Sequence, residues 1–304
     1  MNVALIGSVS SSWHALDALI RSGVQITGVL GVDESQAERV SDFRALRELA
    51  TAARVPFQSF VKISEPAVET FLRDCAPDLL WVIGLSQLVP QQLIAIATHG
   101  AVGFHPTMLP QGRGRAPVAW TILLNRRAAV NLFFLTDEPD AGDILVQREV
   151  PVLPDDYSED LIRRTNLVLA KAIVDLAPRL KSGDLPRTPQ DHSRATYYAK
   201  RTPADGLIDW ARPRDEIYRL IRAAGRPYPG AFTHAGDARL TVWRARPAQP
   251  NDAVGDNEPG AILHRDPSGH LLVACGDGGL WLTEIKLEGD SPGESRLAVG
   301  ARLK

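Results

Sequence analysis

The sequence contains little cysteine and no long apolar run. Its 304 residues include two cysteines, Cys75 and Cys275, which lie far apart in the chain. Two distant thiols cannot build a disulfide framework, so we interpret them as buried free thiols of a reducing compartment rather than as catalytic thiols. Because a membrane-spanning helix needs about 20 consecutive apolar residues, we expect no membrane segment. The chain opens on strand-like residues 3–6 with no basic stretch before them, which predicts no signal peptide and a cytoplasmic location.

Basic residues are not in excess. Lysine and arginine number 34 against 36 aspartates and glutamates, so the formal net charge is −2. Proteins whose main partner is a nucleic acid usually carry a basic surface, which this balance disfavours. The hydrophobic content of 44% and charged content of 23% are ordinary for a globular protein.

Glycine patterns that cradle phosphates are also missing, as are internal repeats and low-complexity tracts. Residues 7–12, Gly-Ser-Val-Ser-Ser-Ser, hold one glycine and match neither G-x-G-x-x-G nor G-K-[ST]. We therefore interpret these serines as ordinary capping residues at the start of a helix, in preference to a phosphate site.

What the first hundred residues do contain is an alternation of short apolar runs and segments with helical spacing. Residues 79–83 are continuously apolar, as a parallel strand buried on both faces requires. This alternation predicts an α/β domain with a Rossmann-like, twisted and mostly parallel sheet covered by helices on both faces.

The pattern changes in the second half of the chain. Residues 157–180 carry a long amphipathic helix, and a polar stretch with two prolines follows it. We predict a domain over residues 1–185, a linker over 186–204 and a second domain over 205–304. The short strands and tight turns of the last segment predict a small antiparallel β-barrel of the OB-like kind.

Residues that can carry chemistry concentrate in residues 103–120. His105 directly follows a short apolar run and precedes a loop with two prolines and two glycines, and helical spacing starts near Pro117. Prolines fix φ and glycines relax it, so this loop has a defined shape. Open α/β sheets place functional residues in such loops at strand ends.

A second candidate segment is the turn at residues 137–142, Asp-Glu-Pro-Asp-Ala-Gly, between two predicted strands at 130–136 and 143–151. Three carboxylates lie close together in it. Taken alone, such a cluster is more simply a solvated turn, and a catalytic role is the alternative.

These segments resemble the 10-formyltetrahydrofolate-dependent formyltransferase family, which includes methionyl-tRNA formyltransferase and the amino-sugar N-formyltransferases. The family's central motif, N-x-H-x-S-L-L-P-x-x-R-G-x-x-P, corresponds to GFHPTMLPQGRGRAP at residues 103–117. Residues 140–142 match its Asp-Thr/Ala-Gly turn and residues 87–90 its loop after the central strand. Residues 208–210 and 221–232 match the start of its small barrel, so the resemblance covers nearly the whole chain.

The resemblance implies transfer of a formyl group from the cosubstrate 10-formyltetrahydrofolate to an amine. It implies that His105 is the general acid and Asp140 its partner, and it implies no metal. A histidine beside a carboxylate suits proton transfer near neutral pH. By the same resemblance, a pterin site held largely by backbone groups is formed by Gln87, Leu88, Val89, Thr136, Asp137, Glu138, Pro139 and Asp140, with Arg115 lining the cleft.

One departure from the family motif bears directly on the chemistry. Gly103 stands where the family has an asparagine whose amide is thought to hold the formyl oxygen. Loss of one such donor typically costs about 2.7–4 kcal/mol. His105 itself, a backbone N–H or a water could replace the amide, or the substrate could supply the group. A third reading is a protein that binds folate without efficient catalysis. Because the rest of the loop is intact, we expect a working enzyme.

The acceptor amine is less closely defined. Residues 33–39 are net acidic, where tRNA-formylating members usually carry a basic insertion. The stretch from Arg113 to Arg115 resembles the UDP-4-amino-4-deoxy-L-arabinose formyltransferase branch. Two arginines at a cleft suit the binding of a phosphate, a carboxylate or a nucleotide sugar. We expect a small-molecule amine, an amino sugar or nucleotide-linked amino sugar. Methionyl-tRNA and a hydroxamate-siderophore amine are the alternatives. The sequence does not define the oligomeric state, and a homodimer is one of the alternatives.

Overall fold

A computed structural model describes residues 1–252, 254–255, 257–288 and 296–304. The strands are β1 (Asn2–Gly7), β2 (Gln25–Val32), β3 (Phe57–Phe60), β4 (Leu79–Ile83), β5 (Ala101–His105), β6 (Arg113–Gly114), β7 (Ala128–Phe134), β8 (Ile144–Val150), β9 (Tyr197–Tyr198), β10 (Ala231–Ala235), β11 (Ala238–Pro247), β12 (Ile262–Arg265), β13 (Leu271–Cys275) and β14 (Gly278–Leu287).

The α-helices are α1 (Ser10–Arg21), α2 (Arg47–Ala52), α3 (Pro66–Cys75), α4 (Gln91–Ile94), α5 (Pro117–Leu123), α6 (Ser158–Ser182) and α7 (Arg214–Ala224). Short 3-10 helices cover Glu34–Arg39, His192–Arg194 and Pro203–Gly206. Within the described ranges, no helix combines the length and apolar character that crossing a bilayer needs.

Seven strands form the first sheet, in the order β3-β2-β1-β4-β5-β7-β8. The pairs from β3 to β5 are parallel, and β7 and β8 pair antiparallel at one edge. The predicted mostly parallel, Rossmann-like sheet is confirmed. The chain order reverses at β1, with β2 and β3 on one side and β4 on the other. Open α/β sheets bind ligands beyond the carboxyl ends of the strands near such a reversal.

The pairing of β5 with β7 sets the register at the predicted catalytic residues. His105 lies opposite Asn131, and Gly103 lies opposite Phe133. Residues two apart on a strand share a face of the sheet, and so do directly opposed residues of two strands. The Phe133 side chain is therefore next to the position where Gly103 has none.

The second sheet has five antiparallel strands in the order β10-β11-β14-β13-β12. The C-terminal residues bond to both of its edges. Lys304 exchanges backbone hydrogen bonds of 2.8 and 2.9 Å with His234 on β10, and the Ile262 N–H on β12 donates to Ala301 O at 2.9 Å. These bonds close the sheet, in agreement with the predicted small antiparallel barrel.

The chain folds into two compact units, each assembled from three segments. The first holds residues 1–117, 127–151 and 162–199, and the second holds 118–126, 152–161 and 200–304. Part of the stretch predicted as a linker, residues 186–204, therefore lies in the first unit. Its strand β9 pairs in parallel with β6, with Tyr197 opposite Arg113. Composition alone does not reveal this pairing, because the partner strand lies far earlier in the chain.

Candidate active site

The first functional side chain is His105, at the carboxyl end of β5 and 4% exposed. Its Nε2 lies 2.8 Å from the carbonyl oxygen of Gly112. A carbonyl oxygen only accepts hydrogen bonds, so we assign the ring proton to Nε2. Nδ1 is then the nitrogen that is free to take up and release a proton.

Asp140 faces that nitrogen. Its Oδ2 lies 3.6 Å from His105 Nδ1, and the same oxygen accepts a 2.8 Å hydrogen bond from the backbone N–H of Gly114. A separation of 3.6 Å exceeds a normal hydrogen bond but allows an ion pair once Nδ1 is protonated. The structure thus brings together the histidine and the carboxylate that the sequence singles out, across 35 residues of chain.

Two amide side chains that sequence reasoning missed, the buried Asn131 and the half-buried Gln147, anchor the histidine loop. Asn131 Nδ2 donates to the carbonyl oxygens of His105, at 2.8 Å, and Thr107. Its Oδ1 accepts from Gln147 Nε2 at 2.7 Å, and that nitrogen also donates to Leu109 O at 3.0 Å. Asn131 is fully buried in the apolar strand β7. A lone amide in such a strand is the sequence signal that could have pointed to it, since buried amides need partners.

Asp140 lines a cavity of about 380 Å³, and His105, 4% exposed, is not among the residues that line it. Apolar side chains of Val82, Phe104 and Phe133 form part of its wall, and Gly103 also lines it. The residues predicted to hold a pterin all line it as well: Gln87, Leu88, Val89, Thr136, Asp137, Glu138, Pro139 and Asp140. Arg115 is exposed and is not among the lining residues of this cavity.

Both polar atoms of the Gln87 side chain are bonded to the protein's own backbone. Its Oε1 accepts from the Ile63 N–H at 2.8 Å, and its Nε2 donates to Val61 O at 2.9 Å. The amide therefore fixes the loop after β4 to the chain beyond β3. What this loop can offer a ligand is its backbone and the side chain of Leu88, which is 85% exposed.

A side chain at Gly103 would displace its neighbours. A Cβ built on it would lie 2.6 Å from Leu135 Cδ2 and 3.0 Å from the ring of Phe133. Such distances are too short for carbon atoms without a shift of the neighbours. Apolar side chains thus occupy the space where the family amide would begin.

Arg113 is also placed differently from the sequence interpretation. Its side chain is fully buried, with Nη1 3.0 Å from Glu138 Oε1 and Nη2 2.9 Å from Gln190 Oε1. A hydrogen bond from the Tyr197 hydroxyl, helped by the Arg113 charge, holds the pKa of Glu138 below its usual value. Arg113 therefore makes hydrogen bonds within the first unit and is not available to a ligand in solvent. Arg115 is the solvent-exposed arginine of this loop.

Two family profiles match the sequence. The profile described as Formyl transferase matches residues 1–176, and Formyl transferase, C-terminal domain, matches residues 200–296. The chain belongs to the formyl transferase family. Members of this family are enzymes of one-carbon transfer. Within the described residues, no group of three or more histidine, cysteine, aspartate or glutamate side chains is arranged to hold a metal ion.

Solved structures share the fold of this formyl transferase. HypX from Aquifex aeolicus in complex with tetrahydrofolic acid is 17% identical with a TM-score of 0.68, over 94% of this chain and 44% of that one. An N-formyltransferase from Helicobacter canadensis in complex with folinic acid and dTDP-3-aminofucose is 14% identical, with a TM-score of 0.63 over 92% and 98%. Methionyl-tRNA formyltransferase from Clostridium thermocellum is 16% identical, with a TM-score of 0.61 over 95% and 100%. The chain spans less than half the length of HypX.

Proposed function

We propose that this formyl transferase moves the formyl group of 10-formyltetrahydrofolate to the amine of a small molecule, an amino sugar or nucleotide-linked amino sugar. The observation that carries the proposal is the pairing of His105 Nδ1 with Asp140 Oδ2 at 3.6 Å, with Asp140 lining the cavity of the predicted pterin loops. The folate ligands in the HypX and Helicobacter canadensis structures are consistent with it.

The cavity fits the cosubstrate in its chemistry. A pterin is flat and carries hydrogen-bonding groups on its edges, so it needs apolar faces and backbone partners. Phe104, Phe133 and Leu135 supply apolar surface, and the chain at 87–89 and 136–140 supplies backbone groups. When bound, 10-formyltetrahydrofolate would supply the activated formyl group.

His105 and Asp140 then carry out the proton transfers. Attack by a neutral amine forms the new C–N bond, and the bond from the formyl carbon to the folate nitrogen breaks. One proton must leave the new ammonium and one must reach the leaving nitrogen. The protonated ring of His105 can give its Nδ1 proton to the leaving nitrogen, and the neutral Nδ1 can then take one from the new ammonium, because Nε2 is committed to Gly112 O and Asp140 stabilises the protonated ring.

Because the family asparagine is absent, another group must stabilise the formyl oxygen. The nearest side-chain atoms to the position of the absent Cβ are carbons of Leu135 and Phe133, and these cannot donate. We therefore assign this role to the protonated Nδ1 of His105, which lies on the same face of β5 as Gly103, in the interval before its proton passes to the leaving nitrogen.

Two features support a small acceptor over tRNA. The segment after β2 is a short 3-10 helix, Glu34–Arg39, with two glutamates and one arginine. Arg115 is solvent-exposed next to the histidine loop, where a guanidinium can pair with a phosphate or carboxylate of the acceptor. The methionyl-tRNA formyltransferase among the similar structures keeps tRNA as the second candidate.

Transfer assays on a panel of amines, with 10-formyltetrahydrofolate as donor, test the proposal. Nucleotide-linked amino sugars should be formylated, and the His105→Gln and Asp140→Asn variants should lose at least 100-fold in rate. Both substitutions approximate the shape and keep a hydrogen-bonding group, so folding and binding of folinic acid should be retained. Near-normal turnover by His105→Gln would contradict the assigned role.

Two other results would replace the proposal. Folinic acid binding without turnover on any amine would favour a weakly catalytic folate-binding protein. Formylation of initiator methionyl-tRNA, with binding that weakens as salt rises, would favour the tRNA enzyme.

A further inference from the structure

The catalytic carboxylate lies in a turn whose backbone is not relaxed. Asp140 has φ of +56°, in the left-handed region that non-glycine residues rarely adopt. Strained residues of this kind persist when surrounding contacts hold them, and they cluster at functional sites. The contacts that hold Asp140 therefore also fix its carboxylate.

Gln190 supplies two of those contacts. Its Nε2 donates to the carbonyl oxygens of Asp140, at 2.8 Å, and Gly142, at 2.7 Å. The side chain is 6% exposed, so water cannot easily replace these bonds. One amide group thus bridges the residue that carries the carboxylate and the glycine two positions after it.

Arg113 determines which way the Gln190 amide points. Its Nη2 donates to Gln190 Oε1 at 2.9 Å, and Arg113 is fully buried. Since a guanidinium only donates, the amide oxygen must face Arg113 and the amide nitrogen must face the turn. The orientation of the glutamine follows from its partners.

The same segment of chain also holds the histidine side of the site. The backbone N–H of Gly112 donates to Thr196 Oγ1 at 2.9 Å, and the Arg113 N–H donates to Thr196 O at 2.9 Å. The carbonyl oxygen of Gly112 is the partner of His105 Nε2. Residues 190–196 therefore bond both to the turn with Asp140 and to the loop that orients His105.

We propose that Gln190 is a positioning residue that sets the separation of Asp140 from His105. It does so by clasping the 140–142 turn while Arg113 fixes its amide. This inference rests on the proposed function for its catalytic meaning, but the clasp itself is a property of the unliganded protein.

Hydrogen exchange in the unliganded protein tests the clasp without any substrate. The Gly114 N–H donates to Asp140 Oδ2, so its protection reports whether the carboxylate is in place. In Gln190→Met and Gln190→Glu, which both lack the N–H donors, the Gly114 amide should exchange at least tenfold faster. The amide of Leu5 in β1 should exchange as in the parent, and Gln25→Met, at an exposed glutamine, should change neither. Unchanged protection of Gly114 in Gln190→Glu would overturn the proposal.

Kinetics test the catalytic consequence. We expect Gln190→Glu to lower kcat at least tenfold with KM for 10-formyltetrahydrofolate within twofold of the parent. In an Asp140→Asn background the same substitution should cost nothing further, because the group it positions is already inactive. An equal loss of kcat in both backgrounds would overturn the positioning role. Faster exchange of Gly114 together with no transfer to any amine would overturn the proposed function and leave the clasp standing.

Discussion

At the scale of single residues, Gly103 is the departure from the family motif that bears directly on the chemistry. The space that the asparagine side chain would take is not empty, because the side chains of Leu135 and Phe133 extend into it. A Gly103→Asn substitution that restores the family residue should therefore destabilise the protein by about 1–3 kcal/mol, as overpacking does. It should not raise the rate of formyl transfer. Urea unfolding of the variant and the parent measures the first expectation.

Leu135→Ala is the matched partner for that test. It removes the Cδ2 atom that lies 2.6 Å from the built Cβ. The pair Gly103→Asn with Leu135→Ala should lose less free energy of unfolding than the two single variants added together. Strict additivity would mean that Leu135 does not occupy the place of the asparagine.

At the scale of elements, the turn between β7 and β8 depends on Gly142. A Cβ there would lie 1.9 Å from the Phe134 carbonyl oxygen, a backbone atom that cannot rotate away. Gly142→Ala should therefore cost about 3 kcal/mol, the upper end of the range for overpacked sites, and should displace Asp140. Transfer activity should fall with it.

Gly183→Ala, just after α6, is the control for that substitution. Gly183 has φ of +79° with no neighbour within 4 Å of a built Cβ, so only backbone strain opposes an alanine. Its cost should be about 1 kcal/mol with transfer unchanged. Equal costs for the two glycines in urea unfolding would show that the close approach of Phe134 is not what requires Gly142.

Whether an element can be predicted from the sequence depends on how that element is stabilised. Helix α6 carries apolar side chains at helical spacing, and strand β4 is a continuous apolar run buried at nearly every residue, so residues 79–83 and the long helix near 157–180 are recognisable in the sequence. For the turn with Asp140, it is the family motif that favours a functional site over a solvated turn. Gln190 and Asn131 act through hydrogen bonds to backbone groups far along the chain. Such bonds leave no period in the sequence, which is why the clasp and the loop anchor could not be predicted.

At the scale of the whole molecule, neither unit is a continuous stretch of chain. Residues 118–126 and 152–161 of the second unit are inserted between segments of the first. If the second unit unfolded, these segments would stop fixing the ends of the first unit's segments, which would raise the entropy cost of keeping the first unit folded. We therefore expect the two units to unfold together in a single cooperative transition.

Each unit carries one free cysteine, which makes the expectation measurable. Burial raises the pKa of the Cys75 thiol from its ordinary value of 9.0 to about 11 and that of Cys275 to about 12. Since the thiolate is the reactive form, both shifts lower the reactive fraction at pH 8, by roughly 100-fold for Cys75 and more for Cys275. Cys75 is half-buried and Cys275 is buried, so the pulse of thiol reagent must be short enough to leave both unlabelled in the native protein. In a urea series with such a pulse, intact mass should pass from no label to two labels in one transition. Cys75→Ser and Cys275→Ser variants assign the labels. A population labelled at Cys275 alone, below the main transition, would show that the second unit opens independently and that the interleaved chain does not couple the two.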